Sequence, residues 1–335
     1  MPEVSLHMNH IGSTATRRLT PDAAGLAEAA RLLREGRLVA FPTETVYGLG
    51  GDATNGAAVA GIYAAKERPR FNPLIAHLPD LAAARREGAF GPEALRLAET
   101  FWPGPLTLVV PRAEDACVCD LALAGLDSVA LRVPAARLAR DLLRAVGRPV
   151  AAPSANRSGR VSPTNADHVL GDLDGRIAAV LDGGACPVGV ESTIVACLDG
   201  DPQLLRPGGV PREAIEAVLG RPLRAPGAAG EAPVAPGLLA SHYAPRAAVR
   251  LDAAAIGEDE AALLFGEARP AGLARARFIL NLSPSGDLAE AAANLFSMLR
   301  RLDASGAATI AVMPIPRHGL GEAIADRLAR AAAPR

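Results

Sequence analysis

The chain has 335 residues, half of them hydrophobic and about a fifth charged, with a formal net charge of −1. That length suits two domains, and that balance excludes a global attraction to nucleic acid or an anionic membrane. No run of about 20 apolar residues occurs and the first twenty residues contain no apolar signal segment, so no membrane span is expected and the cytoplasm is the expected location.

Residues 1–21 read as an N-terminal arm. A domain is expected over 22–215, where helices and strands alternate. "PDAAGLAEAARLLREG" is helical: Pro21 suits its first turn, Leu26, Ala30 and Leu33 share a face, and Gly36 closes it. "RLVAFP" follows as a strand, and "PTETVYGLGG" reads as a loose glycine turn at its mouth. "GAAVAGIYAAKERP" is a helix that must end near Pro69. "NPLIAHL" is a strand and "PEALRLAETFWPGP" a helix that stops at Trp102-Pro103-Gly104. "LTLVVP" and "SVALRVP" are strands, "AARLARDLLRAVG" a helix, and "PVAAPSAN" a strand. "ESTIVACL" and "QLLRPG" flank the turn "DGDP", and this hairpin makes the sheet mixed. The Pro-, Gly- and Ala-rich stretch 216–246 reads as a linker. Over 247–335, "AALLF", "ARFILNL" and "AATIAVMPI" are strands and about 287–303 and 320–332 are helices, which makes a smaller α/β domain. The four cysteines, Cys117, Cys119, Cys186 and Cys197, match no zinc spacing and read as small buried hydrophobes.

Polar residues gather where strands end. The first strand runs into Thr43-Glu44-Thr45. "KERPRFN" places Lys66, Arg68 and Asn72 in one turn before the strand carrying His77. Arg132 stands alone in an apolar strand. "APSANRSGRVSPT" strings out Ser154, Asn156, Ser158 and Ser162, "GVESTIV" adds Ser192, and "LLRPGG" adds Arg206. Strand ends of open α/β sheets are common ligand sites, and cations with neutral donors complement a polyanion bearing carboxylate and phosphate. Neither a Ser-His-Asp order nor a His/Cys metal cluster can be assembled, so positioning and electrostatics are expected to carry the chemistry. Lys66 is the only lysine in the chain, at a place where Arg was not substituted. Blander readings stand beside these: Arg132 as a buried ion-pair partner, His77 as a satisfied core histidine, "SANRSG" as a capped surface loop. "GLGGDA" fits a dinucleotide fingerprint only in letters, because "PTETVY" separates it from the strand. Between Arg132 and Arg160 lie five more arginines, 137, 140, 144, 148 and 157, which could face RNA or form a solvated helix face.

Together "FPTETVYGLG", "AKERPRFNPLIAHL", "FWPGPLTLVV", "VALRVP", "APSANRSGRVSPTNADHV", "GVESTIV" and "LLRPGGV" resemble the Sua5/YciO/YrdC family over residues ~22–212, and the remainder resembles the linker and second domain of its long Sua5 type. The resemblance implies a twisted mixed-sheet domain with a concave cavity, a linker over 216–246 and a smaller Rossmann-like domain over 247–335. It implies a nucleotidyltransferase that makes L-threonylcarbamoyladenylate and pyrophosphate from L-threonine, bicarbonate and ATP with Mg²⁺, for t6A at position 37 of tRNAs reading ANN codons, with a separate complex doing the transfer. It implies threonine contacts at Thr45, His77, Arg132, Ser154 and Ser192. ATP contacts fall on Arg68, Asn72, Ser128, Ala152, Ser162 and Arg206, with the signature Lys66, Arg68, Ser154 and Asn156 intact and Lys66 and Arg68 stabilising the phosphates. Tyr243 resembles a residue that closes over the nucleotide, and "PGLLASHYAP" is expected to act as a lid. The competing reading is an RNA-binding module using the 132–160 arginines.

Overall fold

In the computed structural model, residues 15–69, 71–224, 242–267 and 269–334 are described. Capped helices alternate with short strands in the first part of the chain: β1 (Arg17–Leu19), α1 (Ala23–Arg34), β2 (Val39–Pro42), β3 (Tyr47–Asp52), α2 (Gly56–Lys66) and β4 (Ile75–His77). Then come α3 (Leu81–Glu87), α4 (Pro92–Phe101), β5 (Leu106–Pro111), α5 (Asp120–Leu123), β6 (Ser128–Arg132), α6 (Arg137–Val146) and β7 (Val150–Ala151). The first part closes with α7 (Ala166–Leu173), β8 (Ala179–Leu181), β9 (Thr193–Ala196), β10 (Gln203–Arg206) and α8 (Arg212–Leu219). Asp22 caps α1 by accepting from the Gly25 N–H, and Asn55 caps α2 through the Ala57 and Ala58 N–H groups. The strands form one mixed ten-stranded sheet in the order β1-β8-β2-β3-β7-β4-β6-β5-β9-β10. Its β9–β10 hairpin is the one expected around "DGDP".

The glycine stretch is not a turn. Residues 47–52 form β3, antiparallel to β2 with Phe41 opposite Gly48 and Val39 opposite Gly50, and only Thr43–Val46 connect the two strands. A Cβ on Gly50 would lie 2.8 Å from Phe41 Cε1 and 3.0 Å from the Val39 carbonyl oxygen, so glycine is there for close packing. The end of the N-terminal arm is ordered too: Arg17–Leu19 pair in parallel with Ala179–Leu181 at the sheet edge. Residue 215, the expected end of the first domain, falls inside α8.

The second sheet is wholly parallel, in the order β11-β14-β12-β13, with β11 (Ala248–Arg250), β12 (Ala261–Leu264), β13 (Phe278–Asn281) and β14 (Thr309–Val312). Helices α9 (Leu288–Ala304) and α10 (Leu320–Ala332) pack on it and on each other. Asp287 caps α9 by accepting from the Glu290 N–H at 2.8 Å. The two parts meet closely. Gly189 has φ +77°, and a Cβ there would come within 2.3 Å of the Ala292 carbonyl oxygen, so α9 can approach only a glycine. Val46, Val161 and Val190 of the first part share one apolar cluster with Tyr243, Leu295 and Phe296. Arg300 on α9 donates to Asp172 at 2.7 Å, and Arg212 pairs with Glu322 on α10. Most of the expected linker and lid, residues 225–241, lies outside the described residues. No helix among those described is long and apolar enough to cross a membrane.

Candidate active site

Register brings the polar residues together. Strands β4 and β6 run in parallel with His77 beside Arg132, and β7 sets Ala151 opposite Ala76. Ile75 and His77 are two apart and so share a face. The cavity therefore lies over one face of the middle strands, where Ile75 lines it and packs in an apolar cluster with Val109, Ala130 and Ile194, rather than only beyond the strand ends. Of the residues singled out in the sequence, Arg68, His77, Arg132, Ala152, Ser154, Ser192, Arg206 and Tyr243 line it.

The hairpin connection anchors the first cation. Thr43 Oγ1 donates to the Val46 carbonyl at 2.7 Å and accepts from the Thr45 and Val46 N–H groups, which fixes the turn. Arg132 Nη2 then donates to Glu44 Oε1 at 2.6 Å and to Thr45 Oγ1 at 2.9 Å. The second Glu44 oxygen accepts from the Ala135 N–H at 2.9 Å. Arg132 is thus both a buried ion-pair partner and part of the cavity wall. Thr45 sits behind it, fully buried.

The same cavity is lined by two more arginines. Arg206 donates to the Ser192 carbonyl at 2.8 Å and to Ser192 Oγ at 3.2 Å, while Ser192 Oγ also bonds Thr107 Oγ1 at 2.7 Å. Arg68 follows the left-handed Glu67 that ends α2, and its Nη2 donates to the Pro73 carbonyl at 3.2 Å. Burial pushes Arg68 down to about 10 and lowers Arg206 as well, so both favour an anion beside them. Behind Ser154, Lys66 Nζ donates to the carbonyls of Ser154 and Asn156, each at 2.5 Å. Burial, and then Arg68, hold its ammonium well below the usual lysine range. Asn156 braces the same loop by donating to the Arg157 and Arg160 carbonyls at 2.8 Å.

Three sequence-derived residues are placed differently. Ser162 turns its hydroxyl to Glu191 Oε1 at 2.5 Å. Asn72 is buried behind Arg68, where its carbonyl lies 3.5 Å from Arg68 Nη2. Ser128 starts β6, four residues and about 13 Å of strand from Arg132, and does not line the cavity. Sequence reasoning missed Glu191, His242 and Arg327. A charged residue inside the apolar "GVESTIV" was the available signal for Glu191. Nothing in the amphipathic "ADRLAR" marks Arg327.

Of eight buried side-chain polar atoms without a hydrogen-bond partner among the described residues, six belong here. Arg68 Nε, Arg132 Nε and His242 Nδ1 are in the wall residues, and Asn72 Oδ1, Asn156 Oδ1 and Arg327 Nη2 belong to residues directly behind them. Buried polar groups are normally paired, so this clustering marks a place prepared for a polar ligand. A larger cleft of about 610 Å³ between the two parts is lined by Arg160, Asp172, Arg246, Arg300 and Asp303. Its arginines are already matched: Arg160 and Arg300 with Asp172, Arg246 with Asp303. Four more of the 132–160 arginines are similarly engaged, while Arg140 has no ion pair among the described residues and its buried Nε has no partner. Arg137 and Arg144 pair with Asp141, Arg148 with Asp52, and Arg157 with Glu67.

Both cavity histidines are held neutral. Burial, reinforced by Arg132, lowers His77 to about 3, and its Nδ1 lies 3.2 Å from the Ile75 carbonyl oxygen. Burial also lowers His242 to about 3. A consequence follows for stability. Between these values and the ordinary 6.5 the unfolded chain binds more protons than the folded one, so stability falls as pH falls. Each imidazole contributes about 1.4 kcal/mol per pH unit, or together about 4 kcal/mol between pH 7 and pH 5. Urea midpoints across that range should drop accordingly; a flat profile would contradict the burial of both rings.

Comparison with known proteins identifies the family. A family model described as telomere recombination matches residues 31–208, and one described as threonylcarbamoyl-AMP synthase, C-terminal domain, matches residues 210–333. A threonylcarbamoyl-AMP synthase of Bacillus subtilis (strain 168) is 42% identical over 333 residues, 95% of each chain. Another from Pyrococcus abyssi is 42% identical over 318 residues, 90% of this chain and 92% of that one. The crystal structure of P. abyssi Sua5 complexed with L-threonine superposes with a TM-score of 0.85 at 38% identity, covering 95% of this chain and 98% of that chain. E. coli YciO, 20% identical with a TM-score of 0.51 over 58% of this chain and 95% of its own, shares the fold of the first part. The chain belongs to the Sua5/YciO/YrdC family, in the two-domain form that carries the Sua5 C-terminal domain.

Proposed function

We propose that the chain forms L-threonylcarbamoyladenylate and pyrophosphate from L-threonine, bicarbonate and ATP, supplying the activated group for t6A at position 37 of tRNAs reading ANN codons. The observation that carries this is the presence of two kinds of cationic anchor in one buried cavity: Arg132, fixed by Glu44 and Thr45, lines it together with Arg68 and Arg206. One suits the carboxylate of an amino acid and the other the phosphates of a nucleotide. The relatives' shared name supports the same reaction.

In this reading Arg132 takes the threonine carboxylate, with Thr45, His77, Ser154 and Ser192 around the rest of the amino acid. The threonine amine condenses with bicarbonate to a carbamate, releasing water. A carbamate oxygen attacks the α-phosphorus, and the bond to pyrophosphate breaks. Charge gathers on phosphate oxygens, where Lys66, Arg68 and Arg206 stabilise it. Ala152 lines the nucleotide side, and Asn72, Asn156 and Ser162 support it from behind. The neutral His77 offers a hydrogen bond without adding charge beside Arg132.

The cavity is about 50 Å³, room for a few waters and none for a nucleotide, with Tyr243 and His242 in its wall. His242 and Tyr243 then have to move outward to admit ATP and return to exclude water from the mixed anhydride. Magnesium comes with the ATP phosphates. Among the described residues no three His, Cys, Asp or Glu side chains could hold a metal, and the cavity carboxylate Glu191 is bound to Arg327, as Glu44 is to Arg132. The adenylate then passes to a t6A-transfer complex in the cytoplasm.

The test is mass spectrometry of protein incubated with ATP, Mg²⁺, threonine and labelled bicarbonate, with each substrate omitted in turn. A labelled threonylcarbamoyl adenylate that needs all three substrates is expected. Folded protein that makes none would overturn the proposal, and RNA affinity measured against salt would then test the other reading.

A further inference from the structure

We infer that Arg327, on α10 of the second domain, is a positioning residue for ATP: it neutralises Glu191 in the cavity wall and holds the Tyr243 ring there, so the nucleotide side is complete only when the two domains are docked. The inference rests on the adenylate-forming reading above and gives the second domain a part in it.

Arg327 is fully buried, an uncommon state for an arginine in an amphipathic helix. Its Nε donates to Glu191 Oε2 at 2.8 Å and its Nη1 to Asp326 Oδ2 at 2.6 Å. The other Glu191 oxygen accepts from Ser162 Oγ at 2.5 Å. Glu191 lines the cavity next to Arg206 and Ser192. An ionised carboxylate in that position repels an incoming triphosphate unless a cation offsets it, and Arg327 is the cation bonded to it.

The same guanidinium lies over the Tyr243 ring, 5.2 Å from its centre. The ring's other company is Phe296 of α9, nearly stacked at 5.6 Å, and His242, edge-on at 4.0 Å. Tyr243 has φ +60°, a left-handed backbone that a bulky residue keeps only when its surroundings impose it. Here those surroundings are α9 and α10. One arginine therefore sets both the charge of the wall and the place of the aromatic cap.

A plain interdomain staple would stabilise the fold without tuning nucleotide binding, and kinetics separate the two. Pyrophosphate release is measured for full-length wild type, Arg327→Met, Glu191→Gln and the double variant, with rates scaled to the folded fraction from thermal melts. Arg327→Met should raise the ATP KM at least tenfold and change the threonine KM less than twofold. The double variant should recover at least threefold of that rise, because the stranded carboxylate is gone, but not all of it, because Tyr243 still lacks the guanidinium over its ring. An unchanged ATP KM, an equal rise in both KM values, or a double variant no better than Arg327→Met would overturn the inference. If Arg327→Met does not fold, Glu191→Gln decides: removing the negative charge should lower the ATP KM at least threefold, and an unchanged or higher value overturns it. No turnover in the wild type counts against the adenylate-forming reading alone. ATP affinities of the same proteins by calorimetry would then carry the comparison, with the same ratios expected.

Discussion

Replacing Lys66 by Ala should lower kcat at saturating threonine by about a thousandfold, while the chain stays folded. The only lysine of the chain lies fully buried behind Ser154, its ammonium bonded to two backbone carbonyls and to no carboxylate. Burial and the neighbouring Arg68 both disfavour its charge. A cation in that setting is completed by an anion from outside, and a phosphate oxygen is the anion the reaction brings. Removing one preorganised donor of this kind costs about 3–4 kcal/mol of transition-state stabilisation, and about a thousandfold in rate is the upper end of that range. Lys66→Arg should not rescue activity, because a planar fork does not fit a space built for a compact ammonium. The ammonium also braces the Ser154–Asn156 turn, so the threonine KM should rise modestly as well. Measuring kcat at saturating threonine separates the two effects. A loss below tenfold in folded protein would leave Lys66 as a brace and nothing more.

Lys66 also shows what a sequence can disclose. Its isolation among arginines was visible in the letters, and so was the hairpin around "DGDP", whose turn residues act locally. The glycine-rich "YGLGGD" misled for the same reason. Glycine is locally a turn former, and only Phe41 and Val39 from the neighbouring strand make Gly50 a requirement of close packing. The arginines at 137–160 looked like one basic stripe, but folding brings Asp52, Glu67 and Asp172 from distant segments to meet three of them. The candidate site was legible on the side where several polar residues sit close in sequence. It was illegible at Glu191 and Arg327, whose partnership spans 136 positions and two domains. Long-range ion pairs leave no periodicity in either segment.

Arg132→Met should raise the threonine KM at least a hundredfold and cost the fold about 3–5 kcal/mol, and these two effects can be pulled apart. The stability loss comes from Glu44, which is left charged and buried when its partner goes. The remaining Ala135 and Ala136 N–H groups offset part of that charge but cannot replace a guanidinium at 2.6 Å. The binding loss comes from the missing charge-assisted bonds to the substrate carboxylate, about 3 kcal/mol for a hundredfold change. Adding Glu44→Gln to Arg132→Met removes the stranded charge, so most of the stability should return on chemical denaturation. The threonine KM should not recover, because nothing in the double variant binds a carboxylate. Recovery of both would mean that Arg132 serves threonine only by keeping the hairpin turn in place. Recovery of neither would mean that the Glu44 carboxylate matters to the fold through the Ala135 and Ala136 N–H groups more than through Arg132. The ATP KM serves as the internal control: Arg132 stands beside His77 and shares no hydrogen-bond partner with Arg68 or Arg206, so it should change by less than threefold throughout.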